Sequence, residues 1–168
     1  GPDTVAALIA EPVMGAGGVL VPPATYFEKI QRVLRKYDVL LIADEVICGV
    51  CRTGEMFGST SFGMQPDILT CAKALSSGYV PISAVMVNDT VMAALAANSG
   101  KIGIFGHGYT YTAHPVGCAV ALKTIEIYER ERIVDHVKKV APVFMNRLKK
   151  LGEHPLVLVL FRNVPFRY

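Results

Sequence analysis

Four short apolar runs, each cut off by an ionisable or turn-forming residue, constrain this chain more than any other feature. Residues 5–10 (V-A-A-L-I-A) stop at Glu11-Pro12, and residues 39–43 (V-L-L-I-A) stop at Asp44-Glu45. Residues 68–72 (I-L-T-C-A) stop at Lys73, and residues 82–87 (I-S-A-V-M-V) stop at Asn88-Asp89. Runs of this length suit strands buried on both faces. Between the first two, residues 25–37 carry Tyr26, Phe27, Ile30, Val33, Leu34 and Tyr37 at helical spacing. Pro22-Pro23 precede them, and Thr25 with Glu28 makes a capping-box signature. Strand, helix, strand is a βαβ unit, so the expected class is α/β, a mostly parallel sheet with flanking helices.

Further helices are expected over 89–98, with Asp89 or Thr90 as cap and Asn98-Ser99-Gly100 as stop, and over 115–132, with Pro115 in the first turn. A last one is expected over 133–151, ended by Gly152, with Pro142 kinking or splitting it. Gly15-Ala16-Gly17-Gly18 and residues 103–108 read as loops at the sheet edge. The 168 residues allow one ordinary domain or part of a larger one. Apolar residues make up 52% and charged ones 18%, which excludes disorder for most of the chain. A net charge of +3, with basic residues clustered only at Lys138, Lys139, Arg147, Lys149 and Lys150, does not favour nucleic acid. No apolar run approaches the roughly 20 residues that cross a bilayer, so no membrane partner is expected. The opening Gly1-Pro2-Asp3-Thr4 reads as mid-protein sequence, without a targeting segment. Cys48, Cys51, Cys71 and Cys118 suit reduced thiols in a cytoplasmic protein better than a secreted disulfide scaffold.

Three of the strands end in Glu11, in Asp44-Glu45 and near Lys73, and open α/β sheets bind ligands outside the carboxyl ends of their strands. The bland alternative is that strand ends meet water, where charges belong. Lys73 stands apart from Lys101 and Lys123, because it follows an apolar strand and precedes Ala74-Leu75-Ser76-Ser77-Gly78. Partly apolar surroundings lower a lysine's pKa, and a neutral amine is a nucleophile that condenses with carbonyls.

These residues bring a family with them. Leu41-Ile42-Ala43-Asp44-Glu45-Val46-Ile47-Cys48-Gly49, then Arg52-Thr53-Gly54, Pro66-Asp67-Ile68 and Ala72-Lys73-Ala74-Leu75-Ser76-Ser77-Gly78 resemble the class III pyridoxal-phosphate aminotransferases. So do the stretches Glu11-Pro12-Val13-Met14-Gly15-Ala16-Gly17-Gly18 and His107-Gly108-Tyr109-Thr110-Tyr111, with His114-Pro115. Within the class the chain is most similar to the ω-amino acid:pyruvate group. The resemblance implies part of the large cofactor-binding domain of a fold-type-I enzyme over residues 1–131. Residues 132–155 would start the connection to a C-terminal small domain, and 156–168 form a divergent tail. It implies pyridoxal 5'-phosphate as cofactor, an amine donor and a keto-acid acceptor as substrates, and a homodimer with a shared site.

Residue by residue, Lys73 matches the lysine that holds the cofactor covalently and then moves the substrate proton. Asp44 matches the aspartate paired with the pyridinium nitrogen, which keeps the ring able to take up electrons. Val46 matches the aliphatic residue on one ring face. Thr110 matches the threonine that hydrogen-bonds the cofactor phosphate of the partner subunit's site, with Tyr109 assisting through its backbone amide. Glu11 matches a residue near the site. The Gly-Ser phosphate cup, the second ring-stacking residue and the carboxylate-reading arginine belong to parts of the family outside this stretch. The stretch alone is therefore expected not to transaminate. A catalytically inactive fragment or pseudoenzyme serving as an interaction module is the alternative, and an aminomutase on the same cofactor is a third.

Other motifs have plainer readings. Cys48-Gly49-Val50-Cys51 lacks the second C-x-x-C of a four-cysteine zinc site, and the family usually has Gly at the position of Cys51. A glycine there suggests a left-handed backbone that Cys51 must now adopt. Gly15-Ala16-Gly17-Gly18 lacks both the third glycine of a dinucleotide fingerprint and the Lys-Ser/Thr of a P-loop. His107 and His114 are expected to position Tyr109 and Thr110, with no metal.

Overall fold

A computed structural model describes residues 1–157. The four apolar runs form β1 (Ala7–Ala10), β2 (Leu40–Asp44), β3 (Ile68–Cys71) and β4 (Ala84–Val87), in one sheet with the spatial order β1-β2-β3-β4. β1 pairs with β2 and β2 with β3 in parallel, while β4 runs antiparallel to β3. The mostly parallel sheet therefore forms as the sequence implies, with one reversed strand at its edge.

The helix between β1 and β2 is α1 (Tyr26–Lys36). It buries Phe27, at 3% exposure, against Leu41, Ala43 and Met64, with Leu8, Leu34, Phe62 and Leu69 around them. Gln31 is the buried polar exception on this helix. Its side chain donates to the carbonyls of Phe27 and Gly63 and accepts the N–H of Gln65, so its polar atoms are satisfied. The expected capping box does not form: Thr25 makes no side-chain cap, and the first turn is entered instead through the Tyr26 N–H bonded to Pro23. Glu28 pairs with Arg32 one turn on rather than reaching back.

A short helix, α2 (Gly58–Ser61), lies between β2 and β3 and has no counterpart in the sequence expectations. The next helix, α3 (Asp89–Ile102), is capped by Asn88, whose side chain accepts the Val91 N–H at 2.9 Å. The expected caps Asp89 and Thr90 lie inside it. The helix also runs through Asn98-Ser99-Gly100 to Gly103, which at φ +74° supplies the left-handed stop. Its local signals are weaker than the αL glycine that follows. α4 (Pro115–Arg130) starts at Pro115 as expected, with His114 Nδ1 accepting the Val116 N–H. It buries Ala121 and Thr124 and joins Val50, Cys71 and Leu75 in a second apolar cluster.

α5 (Ile133–Leu151) follows a left-handed Arg132 and is not split by Pro142. Pro142 is exposed, so its ring stands on the solvent side of the helix. The helix ends at Leu151 with Gly152 just past it, as expected, although Gly152 is right-handed rather than left-handed. Of the tail taken as divergent, only Leu156 and Val157 are described, and residues 158–168 lie outside the described residues. Among the described residues no helix is long and apolar enough to cross a membrane.

Candidate active site

Asp44 closes β2 and pairs in register with Thr70 of the neighbouring parallel strand. Its Oδ1 accepts the Val46 N–H at 3.0 Å and the Thr70 hydroxyl at 3.5 Å. Its other oxygen accepts nothing among the described residues. One carboxylate oxygen is thus held and the other is left to offer. Asp44 lines a cleft of about 540 Å³ with Leu8, Ala10, Glu11, Met14 and Phe27. Glu11 Oε2 accepts the Gly15 N–H at 2.9 Å, which ties the glycine-rich turn to the end of β1. That turn closes on a bridge between Met14 and Leu20, so it is a local reversal rather than a phosphate loop leading into a helix.

Glu45, the next residue, turns the opposite way and is fully buried. Its carboxylate accepts the N–H groups of Gly58 and Ser59 at the start of α2, at 2.9 and 2.5 Å. Its backbone N–H donates to Thr70 at 2.8 Å. Gly58 is required here, because a Cβ would come within 2.8 Å of the Cys48 Cβ. The Asp44-Glu45 pair therefore splits into an outward and an inward carboxylate, each anchored. The strand's period of two shows that neighbours diverge, but nothing local says which of two acids faces inward.

Lys73 lies just beyond β3, at the head of a single 3₁₀ turn (Lys73–Leu75). It has φ +42°, and Ser77 has φ +52°, left-handed values that non-glycine residues seldom adopt. Such strain persists only where surrounding contacts impose it, and it gathers at functional sites. The expectation of partly apolar surroundings needs correcting, since Lys73 is exposed. It lines a second cleft of about 500 Å³ with Val50, Cys51, Arg52, Ala74 and Tyr128. Asp44 and Lys73 thus sit at the same end of adjacent strands, but they line separate clefts in this chain.

Val46 is placed by its own N–H on Asp44. Tyr109 and Thr110 lie in the exposed loop between α3 and α4 and line neither cleft. The Tyr109 N–H is already donated to the Thr112 hydroxyl at 2.8 Å. His107 packs edge-on against Tyr109, with ring centroids 5.5 Å apart, whereas His114 serves as the cap of α4.

Cys48, Cys51 and Cys71 are buried free thiols. Burial pushes the Cys48 thiol up to about 11, and also raises Cys51 and Cys71. Cys51 has φ +70°, so the left-handed backbone expected from the usual glycine is kept by a residue with a side chain.

The donor set fits pyridoxal 5'-phosphate at the points it can test. A fixed carboxylate with a free oxygen suits a pyridinium N–H, and an exposed amine on the adjacent strand end suits an aldehyde. Residues 1–163 match the sequence model of the class-III aminotransferases. Over 157 residues the chain is 54% identical to gamma aminobutyrate transaminase 3, chloroplastic, from Solanum lycopersicum, covering 94% of this chain and 30% of that protein. It is 52% identical to the vanillin aminotransferase of Capsicum chinense, covering 94% of this chain and 34% of that protein. An omega transaminase from Pseudomonas jessenii, solved in complex with PMP, superposes with a TM-score of 0.91 at 53% identity, over 93% of this chain and 34% of that one. The chain thus spans about a third of the length of the relatives it matches. With residues 1–163 matched by the family and the fold shared with a solved member, the chain belongs to the class-III aminotransferases, a pyridoxal-phosphate-dependent family.

Proposed function

We propose that the protein of which this chain forms part moves an amino group from an ω-amino acid or amine to pyruvate or another keto acid, with pyridoxal 5'-phosphate as cofactor. The observation that carries this reading is the delivery of a half-free Asp44 carboxylate and an exposed Lys73 amine to the same end of adjacent parallel strands. The relatives' names make γ-aminobutyrate the first donor to try, and one solved relative is described with L-alanine, the aminated form of pyruvate.

When bound, the cofactor supplies an electron sink for the substrate carbon. Asp44 would hold a proton at the ring nitrogen through its free oxygen, while Val46 and Thr70 fix the other. Lys73 would hold the cofactor covalently and carry the proton that leaves the substrate carbon. The Val46 side chain would lie against one face of the ring. Thr110, with Tyr109, serves the phosphate of a second subunit's site. That role suits their exposed loop, which lines neither cleft, and it would make the protein a homodimer. Residues 1–131 fall in the cofactor-binding domain, and 132–155 begin the connection to a smaller one. The free thiols suit a reducing compartment such as the cytoplasm. Chloroplastic and mitochondrial stand in the names of two tomato relatives, so fractionation of the source cell decides between these locations.

Borohydride reduction of the cofactor-loaded full-length protein, followed by peptide mapping, is expected to label Lys73. Label on Lys101 or Lys123 instead overturns the assignment. The competing reading, an inactive interaction module, draws on the separation of the two clefts and expects no label at all. Alanine production from pyruvate, with γ-aminobutyrate and β-alanine as donors, tests the activity.

A further inference from the structure

We infer that Tyr128, on α4, is a positioning residue for Lys73. The turn that carries Lys73 is strained at both ends, with left-handed backbone at Lys73 and Ser77. A left-handed non-glycine residue costs roughly 1–2 kcal/mol, so a short turn with two of them relaxes unless it is held from outside. Leu75 provides a buried anchor, and the buried Ser76 donates its hydroxyl to the Val80 carbonyl at 2.6 Å. The Ser76 bond is internal to the β3–β4 connection, while Leu75 is held by apolar packing against Val50 and Ala121.

Tyr128 supplies the directional restraint from outside the connection. Its hydroxyl donates to the Ala74 carbonyl at 3.0 Å, across 54 positions of sequence. Among the described residues this is the one hydrogen bond that reaches the connection's turn from another element. The same carbonyl accepts the Ser77 N–H at 3.1 Å, so it is gripped from inside the turn and from α4 together. Fixing that carbonyl fixes the Ala74–Leu75 peptide plane, one peptide beyond Lys73, and so limits how the turn that aims the lysine can relax. The Tyr128 ring packs with Ala74 and Ile125 in the second apolar cluster and lines the same cleft as Lys73. The hydroxyl is therefore held in place by its own ring.

The inference rests on the reading that Lys73 takes the cofactor. The test uses the full-length protein stripped of cofactor and given limiting pyridoxal phosphate. The Lys73 amine adds to the aldehyde carbon, water leaves, and borohydride delivers hydride to that carbon, so mapping reads the rate of capture. Phe62→Leu is the control, because it weakens the other apolar cluster without touching this turn. All samples are held at a temperature where both variants remain folded. Tyr128→Phe is expected to slow capture at Lys73 fivefold or more, with background label on Lys101 and Lys123 unchanged. It is also expected to shift the pH midpoint of the bound cofactor's visible absorption, which Phe62→Leu leaves in place. Unchanged capture in Tyr128→Phe, or equal slowing in Phe62→Leu, overturns the inference alone. No preference for Lys73 in the unsubstituted protein overturns the functional reading and the inference with it.

Discussion

Glu45, with no surface exposed, accepts the backbone N–H of Ser59 at 2.5 Å. Its second oxygen takes the N–H of Gly58, so a buried acid is satisfied by backbone donors alone. Replacing one oxygen by an amide nitrogen turns an acceptor against a donor. Glu45→Gln is therefore expected to cost about 1.5–3 kcal/mol, the range for a hydrogen bond to a charged group. Urea unfolding of the full-length protein measures it, and a loss under about 0.5 kcal/mol would falsify the anchoring role.

Cys51 should reverse a familiar order of stability. Glycine is usually worse than alanine by roughly 0.5–1 kcal/mol, because the unfolded chain gains freedom. At φ +70° the folded state prefers glycine instead. Both substitutions lose the same buried thiol. Cys51→Gly is therefore expected to melt at or above Cys51→Ala, and a clearly higher Tm for the alanine variant argues against the left-handed loop.

Alkaline pH should loosen the chain through its buried thiols. An unfolded Cys48 loses its proton near 9.0, but the folded one holds it to about 11. The contribution is whole below pH 9 and drains away as pH rises towards 11, because only the unfolded state then releases the proton. Cys51 and Cys71 are raised too and act in the same direction. Denaturant midpoints at pH 8 and pH 10.5 are expected to fall, with a shallower fall in Cys48→Ala. A slope that is identical in that variant removes Cys48 from the account.

Asp44→Asn is expected to reduce turnover on the order of 10²-fold, comparable to removing one preorganised electrostatic group elsewhere. Capture of cofactor at Lys73 is expected to change much less, since that bond forms on the other strand end. Stopped-flow half-reactions beside borohydride trapping separate the two. Equal losses in both measurements would place Asp44 in cofactor retention instead.

Much of this arrangement is legible in the residues, and the limits have physical causes. Apolar runs with no polar face mark β1 to β4 within a residue or two, although Ile9, Val85 and Met86 stay exposed, so the expected burial of the strands on both faces is not met in this chain. Asp44 and Lys73 stand out as strand-end groups because they end two of these runs. Caps are harder to read. Asn88 wins over Asp89 and Thr90 because its neighbourhood is tertiary: Asp67 accepts its side-chain N–H at 2.8 Å and also takes the Leu41 N–H. Pro142 warns of a break that an exposed helix face tolerates. Tyr128 carries no local signal at all, because its partner is brought to it only by packing. The burial of Lys73 is overestimated for a related reason: an apolar run describes the strand and not the turn that leaves it.

The reversed pairing of β4 has a consequence for how this region can change over evolutionary time. Cys71 and Ala84 face each other across the ladder, so everything from Ala72 to Ser83 is a loop whose two ends are already joined. Closure entropy rises slowly with length, by only about 0.6 kcal/mol for a doubling. Insertions past Ser77 are therefore cheap for folding. The same insertions between Cys71 and Lys73 would carry the lysine off the strand end, however well the chain folds. The hairpin thus divides one connection into a half free to drift in length and a half whose spacing is under chemical selection.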